Sequence, residues 1–334
     1  MTRGVALCLA LLLSASPLAA REIVDMAGRQ VTVPDNIRRI YVAYDPPAIF
    51  LSALAPDLMI GFPFARSAAG NVFLPPLVRK LPIIGGSSRV NPESLLAQNI
   101  DVAIVWNIRG QPDQFAAQLT AMGLPTLMVD ASPFRQYPAA FRFLGRLLHR
   151  EARAEALARA LEDSTARLDA VLGAIPQAER VRVYYADSPD GLKSQCAGAF
   201  RGETVELAGG VNVMHCDTPD GMGASVTVNL ERLLLIDPQV IVARTQAIAR
   251  FITQDPGWQR LRAVHEGRVY APPELPFNWV ERPHSQFKML AVQWLANRLY
   301  PDRFPFDFAR ATKDFYTLFY DMELTDDDVA KLRH

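Results

Sequence analysis

The sequence predicts an α/β fold: two Rossmann-like lobes with mostly parallel sheets, joined by one long rigid α-helix. Three observations point there. Apolar strand-like runs alternate with helical stretches in both halves of the chain, a passage from Tyr137 to Ile175 is striped at helical spacing, and a short segment recurs once in each half. The 334 residues, 50% hydrophobic and 21% charged, suffice for two cores.

The first element is a leader. Residues 1–20, MTRGVALCLALLLSASPLAA, carry Arg3, an apolar run from Val5 to Leu13 and small residues ending at Ala20, the layout of a secretory signal peptide cleaved near Ala20. The run is too short to span a bilayer. Cys8 lies inside it, where cleavage for lipidation would leave almost no signal, so a soluble periplasmic protein is expected. Basic and acidic side chains number 35 each, and this balance excludes the cationic excess of a nucleic-acid binder. Cys196 and Cys216 remain after processing and are expected to pair in an oxidising compartment. Their loop would contribute about 3 kcal/mol in the chain-entropy model; two buried thiols are the alternative.

Residues 21–136 read as the first lobe. Ile23-Val24 and Val31 to Val33 flank a turn at Gly28 and predict a hairpin. Strands are expected at Ile40 to Ala43, Leu58 to Ile60, Pro82 to Ile84, Val102 to Trp106 and Thr126 to Val129, with helices near Ala48 to Leu54, Glu93 to Gln98 and Asp113 to Met122. The loops Phe62 to Arg66 and Trp106 to Gly110 follow strands directly, where open α/β sheets place ligands.

Residues 137–176 read as the connector. Phe143, Leu147, Ala154, Leu157, Leu161, Leu168, Val171 and Ile175 form its stripe, and Arg150 interrupts it. A short helix, a kink near His149 and a second helix from Glu151 to Leu172 are expected; the latter would be about 33 Å long. An amphipathic helix packed on a single-domain sheet is the plainer alternative.

Residues 177–334 read as the second lobe. A strand is expected at Val181 to Ala186, with Asp190-Gly191 suggesting a hairpin over 182–194. A helix at Glu203 to Ala208, strands at Val226 to Val228, Val240 to Ala243 and Val269-Tyr270, and helices at Leu230 to Leu235, from His284 or Ser285 to Leu299, and at Ala309 to Phe319 follow.

The repeat is Asn91-Pro92-Glu93-Ser94-Leu95-Leu96 before Asp101 to Val105, and Asn229-Leu230-Glu231-Arg232-Leu233-Leu234 before Asp237 to Val242. Asn caps and first-turn acids stabilise any helix, yet the same arrangement in each half indicates two related lobes. With Gln30 to Pro34, Leu207 to Asn212, Asp255 to Trp258 and Gly267 to Tyr270, the chain resembles the substrate-binding proteins of ABC importers for iron-siderophore, vitamin B12 and haem-type ligands. The resemblance implies capture of a ligand between the lobes, delivery to an inner-membrane permease, a monomer and no enzymatic activity. It also implies that Glu93 and Glu231 dock on permease arginines. A stiff connector then implies modest rearrangement on binding.

A cleft for a metal chelate needs aromatic faces and cations. Candidates are Tyr184 and Tyr185 at the end of a strand, Trp279 and Arg282 before a helix, and Arg66 and Trp106 from the first lobe; core packing or solvated charge is the plainer reading of each. Arg282 would lie beside the positive end of a helix begun by Pro283. The stretch from Trp279 to Pro283 resembles a tryptophan, acid, arginine, proline signature of an iron-complex or molybdate-like branch. His284 stands where that branch often has a second proline. The expected ligand is a ferric siderophore-type complex, with a molybdate- or tungstate-type oxyanion, haem and a corrinoid as alternatives. No cofactor is expected.

A bare metal site is not expected, because the five His are scattered at 149, 215, 265, 284 and 334. His215 with Cys216, Met214 and Met222 is the lesser soft-metal alternative. A periplasmic hydrolase is the rival from another class, but Gly85-Gly86-Ser87-Ser88 is no G-x-S-x-G nucleophile motif. An envelope scaffold binding only protein is a third.

Overall fold

The computed structural model describes residues 20–107, 113–130, 132–199, 201–216, 224–281 and 283–333. The leader through residue 19 and Arg282 lie outside them. The first lobe opens with an antiparallel hairpin, β1 (Ala20–Val24) and β2 (Gln30–Pro34). Gly28 takes φ +79° at its turn, a conformation that favours glycine. Buried Asp25 accepts hydrogen bonds from Ala27 N, Arg29 N and Met128 N, which fastens the hairpin to the sheet.

That sheet is parallel, in the order β3 (Ile40–Val42), β4 (Val102–Trp106), β5 (Thr126–Val129). Its helices are α1 (Asp45–Leu54), α2 (Ala68–Asn71), α3 (Pro76–Lys80), α4 (Pro92–Leu96) and α5 (Gln114–Ala121). The strands expected at 58–60 and 82–84 reduce to single bridges, Ile40 with Met59 and Phe62 with Ile83. Pro63 and Pro82 lack the N–H a ladder needs.

The connector is a helical hairpin. α6 (Tyr137–Leu148) and α7 (Glu151–Leu172) fold back on one another, joined by His149 at φ +54°. The sequence suggested a kink, and the chain instead reverses. Gly145 makes the reversal compact, because a Cβ there would sit 2.4 Å from the Ala154 Cβ. Arg142 clamps the pair through Glu155 at 2.7 Å and Glu162.

The second lobe contains β6 (Arg182–Ala186), β7 (Lys193–Gln195), β8 (Val211–Asn212), β9 (Ser225–Thr227), β10 (Val240–Ala243) and β11 (Val269–Tyr270). Its main sheet is parallel, in the order β11-β10-β6-β8. The hairpin expected over 182–194 is not formed. β6 is paired on both sides, so β7 turns away and pairs antiparallel with β9. Helices α8 (Glu203–Leu207), α9 (Leu230–Ile236), α10 (Gln246–Gln254), α11 (Arg262–His265), α12 (Lys288–Leu299), α13 (Phe308–Tyr320) and α14 (Asp326–Leu332) complete the chain.

One core runs through both lobes and the connector, containing Ile104, Phe141, Leu161, Val242 and Phe287 together. α13 helps to close it across the lobes, since Phe319 packs edge-on against Phe141, which stacks on Phe50 of α1. Gln286 adds polar links to the Ile49 carbonyl and the Tyr320 hydroxyl. Sharing this core resists wide hinge motion, because packed interiors deform little.

Candidate functional site

A cavity of about 590 Å³ opens at the carboxyl ends of β3 and β4. Tyr44, Asp45, Phe64, Arg66 and Trp106 line it from the first lobe; Arg201, Glu274, Phe277, Asn278 and His284 line it from the second. Open parallel sheets present ligands at this end because the loops there converge.

Arg66 follows the bridge at Phe62 and is held by neutral groups. Its Nε donates to Asn71 Oδ1 at 3.1 Å and its Nη2 to the Leu81 carbonyl at 3.1 Å. The guanidinium lies 4.6 Å from the Phe62 ring centroid, a cation–π contact. Burial lowers its pKa, and among the described residues no carboxylate pairs with it. Arg201 differs: its Nε lies 3.7 Å from Oε2 of fully buried Glu281, whose Oε1 accepts from the Tyr185 hydroxyl at 3.0 Å.

Tyr44 precedes α1 and donates to Asp113 Oδ2 at 2.6 Å. Burial, then that hydrogen bond, pushes its phenol up to about 12. Asp45 begins α1, and burial raises its carboxyl while Arg89 opposes the shift. Pro46 and Pro47 follow, so the helix start carries few unpaired N–H groups. Glu274 accepts from Gln246 N at the start of α10. His284 is 5% exposed, and its ring lies 6.0 Å from that of Trp106.

The structure brings together only part of the expected set. Arg66 and Trp106 line the cavity, and Arg282 lies outside the described residues. Tyr184 is core: it is fully buried, its ring meets Trp258, and its hydroxyl donates to the Gly191 carbonyl. Trp279 is core as well, stacked on Phe308 at 5.5 Å with Nε1 donating to the Leu275 carbonyl. Tyr185 is buried and supports Glu281 beneath the cavity without lining it. The alternation of strand β6 buries both tyrosines because each face of its sheet is covered. Arg201 and His284 also line the cavity, and the sequence reading did not single them out for it. The bracket of Cys196 and Cys216 around Arg201 was the available signal for the first, and the departure from a second proline for the other.

Cys196 and Cys216 are disulfide-bonded, so neither is a free thiolate for the soft-metal alternative at His215. Among the described residues no group of three His, Cys, Asp or Glu could hold a metal ion. Glu93 and Glu231 are exposed in the first turns of α4 and α9. Asn91 accepts from Glu93 N and Asn229 from Arg232 N, so each helix has an asparagine cap, closed on its second residue in α4 and its third in α9.

Comparison with known proteins agrees with this geometry. A family model described as periplasmic binding protein matches residues 104–275. An ABC transporter solute binding protein from Sulfurospirillum deleyianum DSM 6946 superimposes with a TM-score of 0.85 at 32% identity, covering 93% of this chain and 98% of that one. The molybdate-binding protein MolA of Haemophilus influenzae is 28% identical over 351 residues, 97% of each chain. A vitamin B12-binding protein of Vibrio cholerae is 25% identical over 209 residues, 63% of this chain and 72% of its own. Two parallel sheets around a helical connector, a cleft at their strand ends and a family match over half the length lead to one conclusion: the chain belongs to the periplasmic binding protein family.

Proposed function

We propose that this binding protein captures an oxyanion of the molybdate class in the cleft and delivers it to an ABC permease docked on Glu93 and Glu231. The observation that carries the reading is Arg66, a guanidinium immobilised by neutral groups and lining the same cavity as Arg201 of the other lobe. Fixed N–H donors without a full countercharge favour an acceptor-only anion. The likeness to MolA over nearly its whole length supports the same class. The ferric chelate favoured by sequence loses three of its expected aromatic contacts, since Tyr184, Tyr185 and Trp279 are core.

A metal chelate is the second reading, favoured by a volume of about 590 Å³ and by Tyr44, Phe64, Trp106 and Phe277 on its walls. Calorimetric titration of the processed protein with molybdate, tungstate and ferric citrate separates the two. Saturable binding of the two oxyanions is expected. Binding of ferric citrate with no heat from either oxyanion would overturn the first reading.

A further inference from the structure

Lys288 is the least expected charge in the molecule. It is fully buried at the first position of α12, where loss of hydration and the positive end of the helix both oppose an ammonium group. Its Nζ lies 2.6 Å from Glu203 Oε1 on α8 and 3.2 Å from Nδ1 of His284. Glu203 in turn accepts from the Phe134 N–H, just ahead of the connector. An apolar side chain at position 288 would avoid the desolvation cost, so the ion pair calls for a role beyond stability.

Its effect on His284 supplies one. An ammonium group has three donors and no acceptor, so the imidazole nitrogen facing it must accept. In a neutral ring the proton then sits on the other nitrogen, Nε2. The Lys288 contact thereby favours the Nε2–H tautomer of the neutral ring, and His284 lines the cavity beside Trp106.

We propose that His284 donates Nε2–H to the bound ligand and that Lys288 is a positioning residue that fixes this tautomer. The site then reads ligands as acceptors through three donors, Arg66, Arg201 and His284. The proposal deepens the oxyanion reading and rests on it for the choice of probe, whereas the tautomer is a property of the protein alone.

Two measurements keep them apart. Long-range proton–nitrogen spectra of the full processed chain, with His284 assigned by comparison with His284→Gln, should show the Nε2–H pattern without ligand. The pattern should change to mixed tautomers in Lys288→Met, or in Lys288→Met/Glu203→Gln if the single variant does not fold. An Nδ1–H ring or an imidazolium in the unmodified protein overturns the positioning role. In titrations with molybdate, His284→Leu should weaken binding about tenfold or more, as expected for losing one hydrogen bond to a charged group. His284→Gln, which keeps an N–H donor, should retain most of the affinity. Unchanged affinity in His284→Leu overturns the donor role and leaves the oxyanion reading standing. If ferric citrate binds and molybdate does not, the oxyanion reading falls, and the same variants titrated with ferric citrate decide the donor role.

Discussion

The two lobes each present an arginine to the cleft and hold it in opposite ways. Arg66 is gripped by an amide oxygen, a backbone carbonyl and the Phe62 ring, all neutral. Arg201 lies beside Glu281, a carboxylate with no exposed surface. A cation fixed by dipoles keeps its charge available to a ligand; one beside a buried carboxylate has much of its charge already matched. Of the two arginines, Arg66 is thus the one without a carboxylate beside it among the described residues. In one exposed feature the lobes are alike, since Glu93 and Glu231 each occupy the first turn of an Asn-capped helix.

The largest expected effect tests that likeness. Reversing both charges, Glu93→Lys with Glu231→Lys, should abolish uptake in cells while calorimetric affinity stays unchanged. Each single reversal should give a comparable partial loss. Normal uptake in the double variant would remove the docking role, and sharply unequal single variants would show that the lobes are not equivalent there.

The disulfide tests the second lobe's hold on its arginine. Cys196 and Cys216, 20 residues apart, bracket Arg201. Replacing both by serine should lower unfolding stability by about 3 kcal/mol in the chain-entropy model, and should weaken ligand binding by loosening the loop. Unchanged affinity with lowered stability would show that Glu281 alone is enough to place Arg201.

The arginines come next in size. Arg66→Gln should weaken oxyanion binding about tenfold or more, the scale of a hydrogen bond to a charged group, with little change in melting temperature. Arg201→Gln should cost less affinity and more stability, because it deprives buried Glu281 of a nearby cation. Equal losses of affinity would mean that the Arg201 charge is as available as that of Arg66.

The same contrast explains what the sequence disclosed. Periodicity located the long helix Glu151–Leu172, and the Asn-Glu repeat located α4 and α9, because capping and helical spacing are local signals. The reversal at His149 depends on Gly145 meeting Ala154, a contact that no local pattern encodes. Arg66 and Trp106 were found because they follow strand ends. Tyr184 and Trp279 were misplaced because an aromatic at a strand end or in a proline-flanked loop reads the same whether it faces a cleft or a neighbouring helix. Lys288 was invisible, since its partners Glu203 and His284 come from separate segments of the chain.

The smallest expected effect compares buried carboxyls across the lobes. Burial raises Asp45 in the first lobe, but Arg89 opposes the shift. In the second, Glu206 borders a cavity of about 410 Å³ with Arg135, Asp169, Arg180 and Glu203. Its Oε1 accepts weakly from Gly198 N at 3.4 Å, and its buried Oε2 has no partner. Burial, with a smaller push from Glu203, carries its carboxyl up from 4.5 to about 7, against the pull of backbone N–H groups. Because the folded pKa is the higher one, the folded chain binds more protons between those values, and its stability falls as pH rises through that window. The contribution is complete below about 4.5 and gone above about 7. Glu206→Gln cannot titrate, so its stability profile should be flatter, matching the unmodified protein at the acid end and exceeding it near neutrality. Superimposable melting curves across the window would place the Glu206 carboxyl in ordinary contact with water and remove this asymmetry between the lobes.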